Sequence, residues 1–142
     1  MKIGITSDHA GFEQKEMVKQ QLIKNGYEVT DFGAQSTESI DYPDVAHPLA
    51  YAVENKSVGL GIALCGTGNG MTMALNKHQG IRAGICWTPE IASLIRHHND
   101  ANICVIPARF VTSEIILDMI KVFLAEPFDG GRHQIRINKI AI

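Results

Sequence analysis

The sequence predicts an α/β fold, a five-stranded parallel sheet with helices on both faces. Three observations predict it. Strand-like and helix-like stretches alternate along the whole chain, the pattern left by βαβ units. The run Val58–Leu64 is apolar on both of its faces, as a central parallel strand must be. The 142 residues, 45% of them hydrophobic, fill one domain with no repeat, linker or low-complexity stretch to divide it.

The elements follow in order. Ile3–Thr6 reads as the first strand and ends in Ser7-Asp8-His9-Ala10-Gly11. Open α/β sheets keep their sites at such polar strand ends. A helix follows from about Gly11 to Asn25, with Phe12, Val18, Leu22 and Ile23 on one broad apolar face and Asn25-Gly26 as its stop. Tyr27–Phe32 is the second strand and Gly33–Tyr42 a polar loop. Pro43 suits the first turn of a helix that continues to about Asn55. Val58–Leu64, the third strand, leads into Cys65-Gly66-Thr67-Gly68-Asn69-Gly70 and then a helix-like run, Met71–Lys77. Arg82–Cys86 is the fourth strand. Thr88 as N-cap and Pro89 at the first position open a helix that ends near Arg96–Asp100. Asn102–Ile106 is the fifth strand. Thr112–Ala125 carries Ile116, Met119, Ile120 and Phe123 at helical spacing, and Pro127 stops it. Residues 128–142 read as a C-terminal arm. Its Gly130–Ile142 portion holds Arg132, His133, Arg136 and Lys139 and no acidic residue.

A net charge of −2 argues against nucleic-acid binding driven by bulk charge. The three cysteines, Cys65, Cys86 and Cys104, are widely spaced with no C-x-x-C, which reads as a reduced, cytoplasmic protein. The N-terminus enters a strand directly, without the pattern of a signal peptide, and no apolar run approaches the ~18 residues of a membrane span.

The chemistry centres on the glycine turn. Strand, glycine-rich turn and helix form a place where bare backbone N–H groups face an anion. Three glycines within five residues cost chain entropy, which is justified where the backbone turns sharply or approaches a ligand. Cys65 at the strand end is either a small buried hydrophobe or a nucleophile or base, and the helix N-terminus behind it favours a thiolate. The turn is not a Walker A loop, because no Gly-Lys-Ser/Thr follows. Met71 excludes both the G-x-G-x-x-G fingerprint and a Cys-x5-Arg phosphatase loop. His98 lies at a helix end, as a solvated terminus or as an acid/base group. His97 points elsewhere on that helix. His9 follows a strand end beside Asp8, whereas His47 and His78 lack such context and read as structural. The six histidines show no metal-ligand spacing. Arg132 and Arg136, four apart, share a face of a helical arm, either solvated or clamping a phosphate. Asp8, Tyr42, Asn99 and Arg109 are placed at strand ends or in loops.

These residues together resemble the type B ribose-5-phosphate isomerases, within a wider family that includes galactose-6-phosphate and allose-6-phosphate isomerases. The likeness runs through SDHAG at Ser7–Gly11, DYPD at Asp41–Asp44, CGTGNG at Cys65–Gly70, NK at Asn76-Lys77, GIRA at Gly80–Ala83, HND at His98–Asp100 and GGRHQ-x-R at Gly130–Arg136. It implies a doubly wound, Rossmann-like, three-layer α/β/α fold. It also implies a homodimer or tetramer with sites shared between subunits, and aldose–ketose isomerisation with no cofactor and no metal. Carried over, Cys65 is the base, in the branch of the family that lacks a glutamate at the position of Met71. Thr67 and the N–H groups of Gly66, Gly68, Asn69 and Gly70 hold the enediolate. His98 opens the furanose ring, with Tyr42 nearby. Asp8, His9 and Asn99 bind substrate, Arg109 contacts the sugar phosphate, and Arg132 and Arg136 clamp the phosphate across the dimer. The rivals are the same chemistry on allose or galactose 6-phosphate, and a non-catalytic flavodoxin-like binding module. Galactose-6-phosphate enzymes tend to lack the HND histidine, which favours ribose. Neither nucleic acid nor membrane is an expected partner.

Overall fold

The computed structural model describes the whole chain, Met1–Ile142. Five parallel strands form one sheet: β1 (Lys2–Ser7), β2 (Glu28–Asp31), β3 (Leu60–Cys65), β4 (Ala83–Ile85) and β5 (Ile103–Pro107), in the spatial order β2-β1-β3-β5-β4. Six α-helices accompany them: α1 (Phe12–Lys24), α2 (Tyr42–Glu54), α3 (Asn69–Leu75), α4 (Pro89–Asn99), α5 (Ser113–Ala125) and α6 (Arg132–Ile137). On one face Val18 and Leu22 of α1, Ala92 of α4 and Ile116, Met119, Ile120 and Phe123 of α5 bury Ile3, Ile5, Ile62 and Leu64. On the other, α2 and α3 cover Ala63, Cys65, Ile103 and Val105. The alternation of Ile62 and Leu64 with Ala63 and Cys65 shows why β3 reads as apolar throughout: each of its faces carries a helical layer.

The chain leaves β1 toward β2 on one side and β3 toward the rest of the sheet on the other. The ends of β1 and β3, where Ser7 stands opposite Leu64, are therefore a topological switch point, with a crevice beyond the strand ends.

Three expectations shift. The apolar face of α1 holds Val18 and Leu22, but Ile23 is exposed and Phe12 only half-buried. The buried position between them belongs to Lys15, whose Nζ reaches Asp31 Oδ2 at 2.6 Å and Glu16 Oε1 at 2.8 Å. Burial alone would raise the pKa of Asp31; hydrogen bonds from Lys15, Lys19 and the Gly33 N–H outweigh it and hold the carboxyl below its usual value. The helix after the glycine turn begins at Asn69, two residues before Met71, because Gly68 takes the left-handed conformation (φ 79°) at its N-cap. Asn99 is the last residue of α4 and Tyr42 the first of α2, so neither lies in a loop. The caps on α4 and α5 form as their residues dictate: Thr88 accepts from Ile91 N–H and Thr112 from Ile115 N–H.

Candidate active site

The crevice is built on the end of β3. Neighbouring strand ends are strapped to it: Asp8 N–H donates to Leu64 O at 3.3 Å, Ala108 N–H to Cys65 O at 2.8 Å and Arg109 N–H to Gly66 O at 3.2 Å. Cys65 is 5% exposed. Its Sγ accepts the Gly68 N–H at 3.2 Å, which the turn folded back at Gly68 makes possible. Asn69 N–H donates to Thr67 Oγ1 at 3.3 Å. The N–H groups of Gly66, Thr67 and Gly70 find no acceptor within the chain. A thiol and a set of uncommitted amide donors thus share one strand end, an arrangement that stabilises negative charge forming beside the sulfur.

Side chains close around this turn. A Cβ at Gly70 would lie 2.5 Å from the Tyr42 ring, so the glycine is what lets the first residue of α2 lean on α3. Arg109 lies on Gly66, where a Cβ would come within 3.2 Å of its Nη1. Asp8 Oδ1 accepts from Ala10 N–H at 3.0 Å and Gly11 N–H at 3.3 Å, capping the short turn His9–Gly11. His9 Nδ1 accepts from Ile40 N–H at 3.2 Å, so a neutral His9 carries its proton on Nε2. That bond ties the loop before Tyr42 to the end of β1. One chain therefore gathers Asp8, His9, Tyr42, Cys65–Gly70 and Arg109.

It does not bring His98, Asn99, Arg132 and Arg136 to them. α4 runs back from the C-terminal edge of the sheet to the N-terminal edge. Its last residues are held there by Arg82, just before β4, which donates to Asn99 O at 2.9 Å and to Asp100. β5 then climbs from Ile103 to Pro107, the residue opposite Cys65. Four steps of about 3.3 Å put roughly 13 Å of strand between the two levels. At the lower edge α6 packs beside the end of α4, and the rings of His98 and His133 stack with centroids 4.4 Å apart and planes 9° from parallel. Burial, the neighbouring His98 and the charges of Arg132 and Arg136 all lower the pKa of His133. His97 has partners of its own. Its Nδ1 meets Asp129 at 2.7 Å and its Nε2 meets Glu126 at 2.8 Å, and the Asp129 hydrogen bond leads in raising its pKa. The chain so carries two polar clusters at opposite ends of its sheet, one with the thiol and one with His98 and the arginines.

A protein-family model described as Ribose/Galactose Isomerase matches residues 3–140. The chain belongs to this isomerase family. Ribose-5-phosphate isomerase B of Escherichia coli is 41% identical over 139 residues, covering 98% of this chain and 93% of that protein. The structure of a ribose 5-phosphate isomerase from Thermotoga maritima superimposes with a TM-score of 0.97 at 50% identity, covering 98% of this chain and 96% of the other. A structure of ribose-5-phosphate isomerase B from Mycoplasma genitalium with bound ribulose-5-phosphate gives 0.94 at 39% identity, covering 98% and 93%. These family structures share the doubly wound three-layer α/β/α architecture described above.

Three side-chain contacts go unannounced in the sequence: the His98–His133 stack, the Glu126–His97–Asp129 chain, and His47 Nδ1 at 2.8 Å from His78 Nε2, whose other nitrogen meets Glu54 at 3.0 Å. Each joins residues distant in sequence, and no local spacing marks them.

Proposed function

We propose that the chain interconverts ribose 5-phosphate and ribulose 5-phosphate through an enediolate, with Cys65 as the base. The observation that carries this reading is the Cys65 thiol at the end of β3, beside the unpartnered N–H groups of Gly66, Thr67 and Gly70. The relative with ribulose-5-phosphate bound supports the choice of substrate.

In this reading Cys65 takes the C2 proton of the open-chain aldose, and the electron pair moves into the C1–C2 bond as the carbonyl oxygen becomes an enediolate oxygen. Thr67 and the free amides of Gly66, Thr67 and Gly70 hold that oxygen, while the Gly68 N–H is given to the Cys65 sulfur and the Asn69 N–H to the Thr67 hydroxyl. The same sulfur returns the proton to C1, while the O2 hydroxyl proton passes to O1, leaving the ketose. Ring opening needs a second group that takes the anomeric hydroxyl proton and delivers one to the ring oxygen, the role of His98 with Tyr42 near it. Asp8, His9 and Asn99 bind sugar hydroxyls, Arg109 contacts the sugar phosphate, and Arg132 and Arg136 clamp its phosphate. No step draws on a cofactor.

The separation of the half-sites supports assembly from two chains, His98, Asn99 and the arm (residues 128–142) of one reaching the Cys65 turn of the other. The exposed Met73, Trp87, Leu94, Ile135 and Ile140, on elements around the β4 edge, fit a surface covered by a second copy, in a dimer or a tetramer of such pairs. Free thiols at Cys65, Cys86 and Cys104 suit a cytoplasmic setting.

An activity panel of ribose 5-phosphate, allose 6-phosphate and galactose 6-phosphate tests the substrate, and turnover on a six-carbon sugar alone overturns it. Cys65→Ala is expected to fold normally and lose about 100-fold or more in turnover, the worth of a positioned base. Near-normal turnover in that variant removes Cys65 from the chemistry.

A further inference from the structure

The turn that ends α4 carries His98 and Asn99 and closes on a strained residue. The backbone at Asp100 is left-handed, with φ 44° and ψ 44°. Its N–H donates to Arg96 O at 3.2 Å, the closing bond of a left-handed helix ending, and the Ala101 N–H folds back to Ile95 O at 3.0 Å. Glycine takes such a place without steric cost, whereas aspartate is strained there. What the aspartate adds is its carboxylate. Arg82 Nη2 donates to its Oδ2 and Arg96 Nη1 to its Oδ1, both at 3.0 Å. The same two guanidinium groups take three carbonyls of this helix end. Arg82 donates to Asn99 O and to Asp100 O at 2.9 Å each, and Arg96 to Ala101 O at 2.6 Å. We propose that Asp100, gripped between Arg82 and Arg96, is a positioning residue that fixes His98 and Asn99 for the isomerase reaction.

Arg82 is itself held on both sides. Its N–H donates to Asn102 Oδ1 at 2.8 Å, and the next residue, Ala83, exchanges two hydrogen bonds with the Asn76 side-chain amide, each at 2.9 Å. This gives a purpose to two strings that the site chemistry leaves unused, Asn76-Lys77 and Gly80–Ala83. Stability alone does not account for the grip. The Arg82 and Asp100 side chains are 27% and 38% exposed, and ion pairs so open add little to the fold. A strained residue kept in place by such a network fits a role in geometry. Asp100 stands two residues from His98, whose ring lies flat on His133 of α6. The stack holds the ring from one side, and the turn at Asp100 holds its backbone. The effect on turnover rests on the reading of His98 as the ring-opening group, whereas the positioning does not.

Asp100→Gly keeps the left-handed turn and removes the carboxylate, and Arg82→Met removes the guanidinium fork while keeping an unbranched stem. Both should melt close to wild type, while kcat on ribose 5-phosphate falls by about 10-fold or more, within the ~100-fold that an ångström of misplacement can cost. Asp100→Asn, which tolerates the left-handed backbone and keeps one acceptor, should show a smaller loss. Glu28→Gln, in the ion pair with Lys2 at the same edge of the sheet, should leave kcat unchanged. NMR of protein carrying 13C-labelled histidine separates positioning from a change of field. The His98 Cε1 proton, stacked on His133, should lose its ring-current shift in both Asp100→Gly and Arg82→Met, while the His9 signal at the other end of the sheet stays. Charge alone would act oppositely in the two, because one removes a negative group and the other a positive one. A His98 signal that stays put in both, or moves in opposite directions, would overturn the grip. If the signal moves as expected and kcat holds, the grip stands and His98 leaves the catalytic machinery.

Discussion

The shared-site reading makes a quantitative prediction for mixed subunits. Cys65 ends β3 at the upper edge of the sheet, and His98 ends α4 at the lower edge, next to α6. If a working site takes its thiol half from one chain and its histidine half from the other, Cys65→Ala and His98→Asn damage different halves. Each homodimer then has two defective sites and retains about 1% of wild-type turnover for a base or acid loss of about 100-fold. Random exchange of equal amounts makes half of the dimers hybrids. Each hybrid has one site with both defects and one with neither, so the mixture should reach about a quarter of wild-type activity, roughly 25-fold above either parent. Native mass spectrometry verifies the hybrids, and a coupled assay for ribulose 5-phosphate reads the activity. A control pairs Cys65→Ala with Thr67→Ala, which lies in the same half-site, and no rescue is expected there. Verified hybrids of Cys65→Ala with His98→Asn that stay at parental activity would refute the argument from strand ends.

Three further outcomes follow from specific contacts. Asp31→Asn leaves the buried Lys15 ammonium with Glu16 alone and should cost about 3 kcal/mol, near the lower end for breaking a buried pair. Because the folded pKa of Asp31 is depressed, its stabilisation is complete above the unfolded value of about 3.9 and is lost as pH falls through the folded pKa. Denaturant midpoints of wild type and variant should therefore converge in acid, and a constant gap would contradict this. Gly70→Ala sets a methyl against the exposed Tyr42 ring without disturbing the core, so thermal stability should hold to within about 1 kcal/mol while KM or kcat worsens. Unchanged kinetics would show that Tyr42 is free to move without consequence. Iodoacetamide should modify Cys65 and inactivate the protein, with sugar phosphate protecting it. A hydrogen bond with Cys86 and complete burial raise the Cys104 thiol well above its usual pKa, so peptide mapping should find both Cys86 and Cys104 unmodified.

Much of this protein is legible residue by residue. Alternating apolar runs mark the strands and helices, Thr88 and Thr112 announce their caps, and Cys65-Gly66-Thr67-Gly68-Asn69-Gly70 marks the turn where backbone amides go unpaired. These features depend on side-chain period, backbone φ and a hydroxyl a few residues from an N–H, all set within one short stretch of chain. The motif residues could likewise be named, because each motif is a short string.

Where those residues meet is another matter. Lys15, not Ile23, occupies the buried side of α1, because β2 brings Asp31 beneath it. His98 faces His133 and not Cys65, because α4 must run back down the sheet before β5 can climb beside β3. Asp129 is held by His97 because α6 and the segment before it fold against the end of α4. The order β2-β1-β3-β5-β4 sets the level and direction of every helix end, and no local pattern encodes that order. Local stretches carried the chemistry of each group, since propensity and capping act over a few residues. The distances between groups came from packing across the sheet, since those partners are separated by whole strands and helices and meet only when the layers close.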